Sequence, residues 1–67
     1  MNVYINSIRR EIPDEINTVG KLITYLKIPE TGTGVGVNNR ITVARNWATT
    51  AIQEDDRIVV ISAAYGG

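Results

Sequence analysis

Arg57-Ile58-Val59-Val60-Ile61-Ser62 places four β-branched apolar residues side by side near the end of a 67-residue chain. Successive side chains of a strand point to opposite faces of its sheet. A strand that is apolar at both parities suits a place in the middle of a sheet. With Ile58 and Val60 turned to the core, Val59 and Ile61 face outward, and an exposed apolar surface of this kind marks a partner site. Glu54-Asp55-Asp56 forms the turn into this strand, and Ala63-Ala64-Tyr65-Gly66-Gly67 leads out of it.

The upstream sequence supplies the rest of such a sheet. Val3 and Ile5 alternate with Asn2, Tyr4 and Asn6, Asn6-Ser7 provides turn chemistry, and Ile8, Arg10 and Ile12 alternate with Arg9 and Glu11 until Pro13 stops the ladder. Residues 2–12 thus read as an opening hairpin. Thr18 is placed to cap a helix whose apolar residues Val19, Leu22, Ile23 and Leu26 share one face. Lys27 suits the negative end of its dipole, and Pro29 marks its end. Residues 30–36, with glycines at 32, 34 and 36, read as a turn-rich stretch. Val35 and Val37 then pair across Asn38-Asn39-Arg40 with Ile41 and Val43, while Trp47 and Ile52 cover the core from an irregular or short helical connection. Strand, strand, helix, strand, strand and a central final strand is the order of an α+β β-grasp, in which a mixed sheet of about five strands wraps one helix. The domain is expected over residues 1–62, with 63–67 a flexible C-terminal tail.

Composition narrows the function. Seven basic and seven acidic residues leave no net charge with which to neutralise phosphates, which argues against nucleic-acid binding. No apolar run approaches the roughly 20 residues of a membrane helix, and the first residues lack a signal peptide's basic flank, so a cytoplasmic protein is expected. Without Cys or His the chain has no thiolate or imidazole for metal binding, nucleophilic attack or base catalysis. A domain this small also has little surface with which to enclose a substrate. These features point away from an enzyme.

The tail is what remains. Two terminal glycines weaken a strand and pack nothing, but they let backbone pass where side chains are excluded. The six residues from Ser62 to Gly67 reach roughly 20 Å when extended, far enough to enter another protein's active site. A terminal carboxylate, with an ordinary pKa of about 3.3–3.7, is anionic and resists nucleophilic attack until a nucleotide-binding partner activates it. Other candidates read more plainly. Gly32-Thr33-Gly34-Val35-Gly36 precedes a strand and lacks the Lys-Ser/Thr of a phosphate loop. Glu54, Asp55 and Asp56 lack the ligand spacing of a hard-cation site and read as a solvated turn. Arg9, Arg10, Arg40 and Arg45 are ordinary surface charges, and Trp47, the single tryptophan, is a core residue.

With Gly66-Gly67 after an Ile-Val-Val-Ile strand, the whole chain resembles the ThiS family, the sulfur-carrier proteins of thiamin biosynthesis with a ubiquitin-like β-grasp fold. The family's middle signature stands here as Val37-Asn38-Asn39-Arg40-Ile41 with Trp47, and its acidic turn as Asp55-Asp56-Arg57-Ile58, with Asp55 in place of the turn glycine. The resemblance implies a carrier rather than an enzyme. An adenylating enzyme uses ATP and magnesium to form an acyl-adenylate at Gly67, and a sulfur donor, a cysteine desulfurase or similar, converts it to a thiocarboxylate. Thiazole synthase then takes the sulfur. Gly67 is the attachment point, Gly66 threads the tail, and Val59 and Ile61 form the partner surface. Related carriers for molybdopterin synthesis, tRNA thiolation or protein conjugation share the terminal glycines, and a β-grasp that only presents an apolar face to a partner is a further alternative.

Overall fold

Asn6 and Ser7 both adopt left-handed backbone, with φ of 52° and 70°. Two consecutive positive φ values make the tight turn whose twist matches a hairpin, and Asn tolerates them better than most residues. The turn joins β1 (Asn2–Ile5) to β2 (Ile8–Glu11), with Val3 opposite Arg10 and Ile5 opposite Ile8. The computed structural model describes residues 1–62, and the remaining five, the expected tail, lie outside the described residues.

Asn38 and Asn39, at φ 51° and 70°, repeat the device between β3 (Gly34–Val37) and β4 (Arg40–Thr42). This corrects the expected pairing. Arg40 belongs to β4 rather than to the loop, so Val35 faces Thr42, Gly36 faces Ile41 and Val37 faces Arg40. A shift of one residue exchanges the two faces of a strand. Ile41, expected opposite the core valines, is instead 88% exposed on the other face, and Val43 lies beyond the strand. Gly34 and Gly36, expected in a turn-rich stretch, are strand residues that flank the buried Val35.

Helix α1 (Val19–Tyr25) begins where expected: the Thr18 hydroxyl accepts a hydrogen bond from Lys21 N at 3.2 Å. Its end is different. Lys27 has φ 59°, its N–H reaches Thr24 O at 3.1 Å, and the N–H of Ile28 reaches Ile23 O at 3.1 Å. This paired closure satisfies two terminal carbonyls and brings buried Ile28 beside buried Ile23. Lys27 therefore ends the helix by its backbone conformation and not by a charge in the last turn.

The sheet order is β2-β1-β5-β3-β4, with β5 (Arg57–Ile61) in the middle, parallel to β1 and antiparallel to β3. Val3, Ile5, Val35, Ile58 and Val60 line one face and pack with Val19, Leu22 and Ile23 of α1, Ile12, Ile28, Trp47 and Ile52 completing the core. Each such side chain contributes about 1.5–3 kcal/mol on burial. Ile8 departs from the expected alternation: it is 70% exposed because β2 is the sheet edge, beyond the reach of a seven-residue helix about 10 Å long.

A 3₁₀ helix (Ala44–Thr49) completes the cover. Trp47 is buried there and donates its indole N–H to Thr42 O at 2.8 Å, so its polar atom is satisfied. The absence of a side chain at Gly20 lets α1 approach this turn closely, since a Cβ there would lie 3.3 Å from Ala48 Cα.

Candidate functional site

β5 carries the candidate site because it is the strand from which the tail departs. Its burial alternates as expected, with Ile58 and Val60 each 1% exposed and Val59 and Ile61 at 48% and 63%. The alternation follows from a sheet whose helix covers only one face.

Two turn asparagines hold β5 at its ends. Where β1 runs out, the amide of Asn6 pairs with the backbone of Val60, accepting from its N–H at 2.8 Å and donating to its carbonyl at 3.1 Å. Where β3 runs out, Asn38 Oδ1 accepts from Arg57 N at 2.9 Å, and Asn38 Nδ2 donates to Asp56 Oδ1 at 3.0 Å. The side chains thus substitute for ladder bonds that the neighbouring strands no longer supply. The strand ends at Ile61, followed by Ser62, which is buried. Gly66 and Gly67, the expected threading and attachment residues, lie outside the described residues.

The outer face of β5 is apolar and open. Gly34 lies opposite Ile61 and Gly36 opposite Val59, while Ile41 lies beyond Gly36 on β4. Because two of these positions have no side chain, Val59, Ile61 and Ile41 border a groove of about 270 Å³ rather than a flat sheet. The sequence reading missed Gly34, Gly36 and Ile41 as parts of this surface. The signal was present in the alternation Gly34-Val35-Gly36-Val37, which puts glycine on one face and valine on the other. Further along the same face Arg57 stacks on the ring of Tyr4, its Cζ 4.7 Å from the ring centre, and Arg9 stands opposite Tyr4 on β2.

The acidic turn into β5 serves structure. Glu54 accepts from Asn2 N at 2.9 Å, Asp56 accepts from Gln53 N at 2.8 Å, and Asp55 takes the left-handed position with φ 69°. Among the described residues no cluster of three metal-ligating side chains is present, and no helix is long and apolar enough to cross a membrane. Away from β5, the Met1 ammonium donates to Asp14 at 2.7 Å and to Ile12 O at 2.7 Å. The hydrogen bond with Asp14 raises the ammonium pKa above its ordinary 8.0, and the same bond lowers that of Asp14 below 3.8.

The arrangement is therefore a central strand with an apolar outer groove, leading to a glycine-ended segment. The ThiS family model matches residues 3–67. Among solved structures, the thiamine biosynthesis protein (ThiS) from Geobacter metallireducens matches with a TM-score of 0.82, covering 92% of this chain and 93% of that one at 17% identity. At that identity the likeness speaks to the fold, a ubiquitin-like β-grasp. No curated protein matches the sequence. On the family match, which omits only the first two residues, the chain belongs to the ThiS family.

Proposed function

We propose that this chain carries sulfur for thiamin biosynthesis on the carboxylate of Gly67. Family membership supports the sulfur-carrier reading, and the match continues through Gly66 and Gly67. In the proposed cycle a carboxylate oxygen of Gly67 attacks the α-phosphorus of ATP in an adenylating enzyme, with magnesium, and pyrophosphate leaves. The persulfide of a sulfur donor such as a cysteine desulfurase then displaces AMP to form an acyl disulfide, and a thiol reductant cleaves its S–S bond, releasing a thiocarboxylate from which thiazole synthase takes sulfur. The chain itself is a co-substrate and not a catalyst. A cycle that consumes ATP suits a cytoplasmic protein.

The composition supports this chemistry. With no cysteine, the chain has no thiol to carry sulfur, so its carboxyl end is the natural attachment point. Val59 and Ile61 serve docking in this reading, holding the activating enzyme against the strand that leads to the tail. Gly66 lets the backbone pass close to the nucleotide.

The test is a chain extended by one residue after Gly67. Stability is expected to change by no more than about 0.5 kcal/mol, within the range of surface changes, while adenylation by the cognate enzyme is lost. Intact mass of protein isolated from its own cells should show one oxygen replaced by sulfur. Thiocarboxylate formation on an extended, uncleaved chain would show the reading to be wrong.

A further inference from the structure

We propose that Gly34 and Gly36 form the floor of a socket for one large apolar side chain of the activating enzyme, with an acidic residue beside it on that enzyme. The inference rests on the carrier reading and specifies how the partner is recognised. The groove measures about 270 Å³, bordered by Val59, Ile61 and Ile41, with the backbone of Arg40 at its edge. Small-molecule sites run to about 300–1,000 Å³ and carry polar groups that orient the ligand. This groove is smaller and has apolar walls, so it suits a protein side chain better than a cofactor.

The partner follows from position and charge. Ile61 opposes Gly34 in the sheet and ends β5, with Gly67 six residues further along the chain. A protein seated on the groove therefore has the Gly67 carboxylate within roughly 20 Å of the contact, at about 3.3–3.6 Å per residue. That suits the enzyme that activates the tail. No acidic residue lines the groove. Farther along the face Arg57 lies over Tyr4 with Arg9 opposite that tyrosine, so an acidic rim on the partner complements this surface.

The glycine floor makes the socket testable without disturbing the fold. A Cβ at Gly34 would meet no atom within 4 Å, and its φ is not in the left-handed region. Gly34→Val places a strand-favouring side chain beside Ile61 and fills the groove. The variant is expected to melt at or above the wild-type temperature, yet to bind the adenylating enzyme of the same cell at least tenfold more weakly by calorimetric titration. Arg57→Gln is expected to slow association severalfold at low salt and little at high salt. Unchanged affinity of Gly34→Val, when the wild-type chain is adenylated, overturns the socket alone. A salt-independent effect of Arg57→Gln overturns the acidic rim. A wild-type chain that the enzyme neither binds nor adenylates overturns the carrier reading and the socket with it.

Discussion

Asn6 and Asn38 occupy equivalent places in two hairpin turns, and both give their amide groups to β5, but their surroundings differ. Asn6 serves the backbone of Val60, which is 1% exposed, whereas Asn38 serves Arg57 at the exposed start of the strand. Water replaces a lost partner at an exposed site, while a buried N–H left unpaired costs about 1–3 kcal/mol. Glycine accepts the left-handed turn geometry at either position, so Asn6→Gly and Asn38→Gly share the same backbone change. Urea denaturation should find Asn6→Gly less stable than Asn38→Gly by at least about 1 kcal/mol, the lower end of that range. Equal losses would mean that the Val60 pairing contributes nothing beyond turn formation. The sequence shows both asparagines as turn residues; their bonds to β5 require knowing which strand lies beside each turn.

At the scale of elements, the opening hairpin is fastened to the segment that follows it through the chain's first residue. The N–H of Ile12 bonds Met1 O at 2.8 Å, and the Met1 ammonium returns bonds to Ile12 O and Asp14. The pair with Asp14 gives stability a defined pH window. Asp14 has a lowered pKa, so its contribution is present above the ordinary 3.8 and disappears as pH falls through the lowered value. The ammonium pKa is raised, so its contribution is complete below 8.0 and disappears as pH rises through the raised value. Asp14→Asn is expected to remove both edges, so that the stability difference from wild type forms a plateau between about pH 4 and 8. Both groups are exposed, and the plateau should be low. A difference that is constant from pH 2 to 10 would show that the ion pair does not contribute. The hairpin itself was legible from its alternation. The ion pair was not, because adjacency of residues 1 and 14 depends on the register of the strands between them.

For the whole molecule, the proposed division of labour between a docking face and a remote carboxylate predicts separable defects. Gly66→Val adds bulk and restricts backbone where, in the proposed cycle, the tail approaches the nucleotide, while leaving the groove on β5 untouched. Complex formation with the adenylating enzyme should remain within about twofold of wild type, as expected when the binding energy lies in a buried centre elsewhere. ATP–pyrophosphate exchange should fall at least tenfold. Normal exchange by the valine variant would mean that the channel accepts side chains and that the glycine pair has another purpose.

The amino-acid sequence by itself determined the order of elements, the central place of the final strand and the assignment of its two faces. Those follow from local periodicity: Ile58, Val59, Val60 and Ile61 are apolar at both parities, and Thr18 with Val19, Leu22 and Ile23 declares a capped, one-faced helix. It also displayed the Gly66-Gly67 ending, whose proposed role depends on chemistry rather than on packing. Register was decided only by the tertiary structure. Whether Arg40 stands in a loop or a strand turns on the left-handed backbone of both Asn38 and Asn39, and that single residue moves Ile41 from the core side to the outer face. The groove exists because β3 then lies beside β5 with Gly34 and Gly36 opposite Ile61 and Val59. Side-chain periodicity states which residues share a strand face, but only the pairing of strands far apart in sequence states which faces meet.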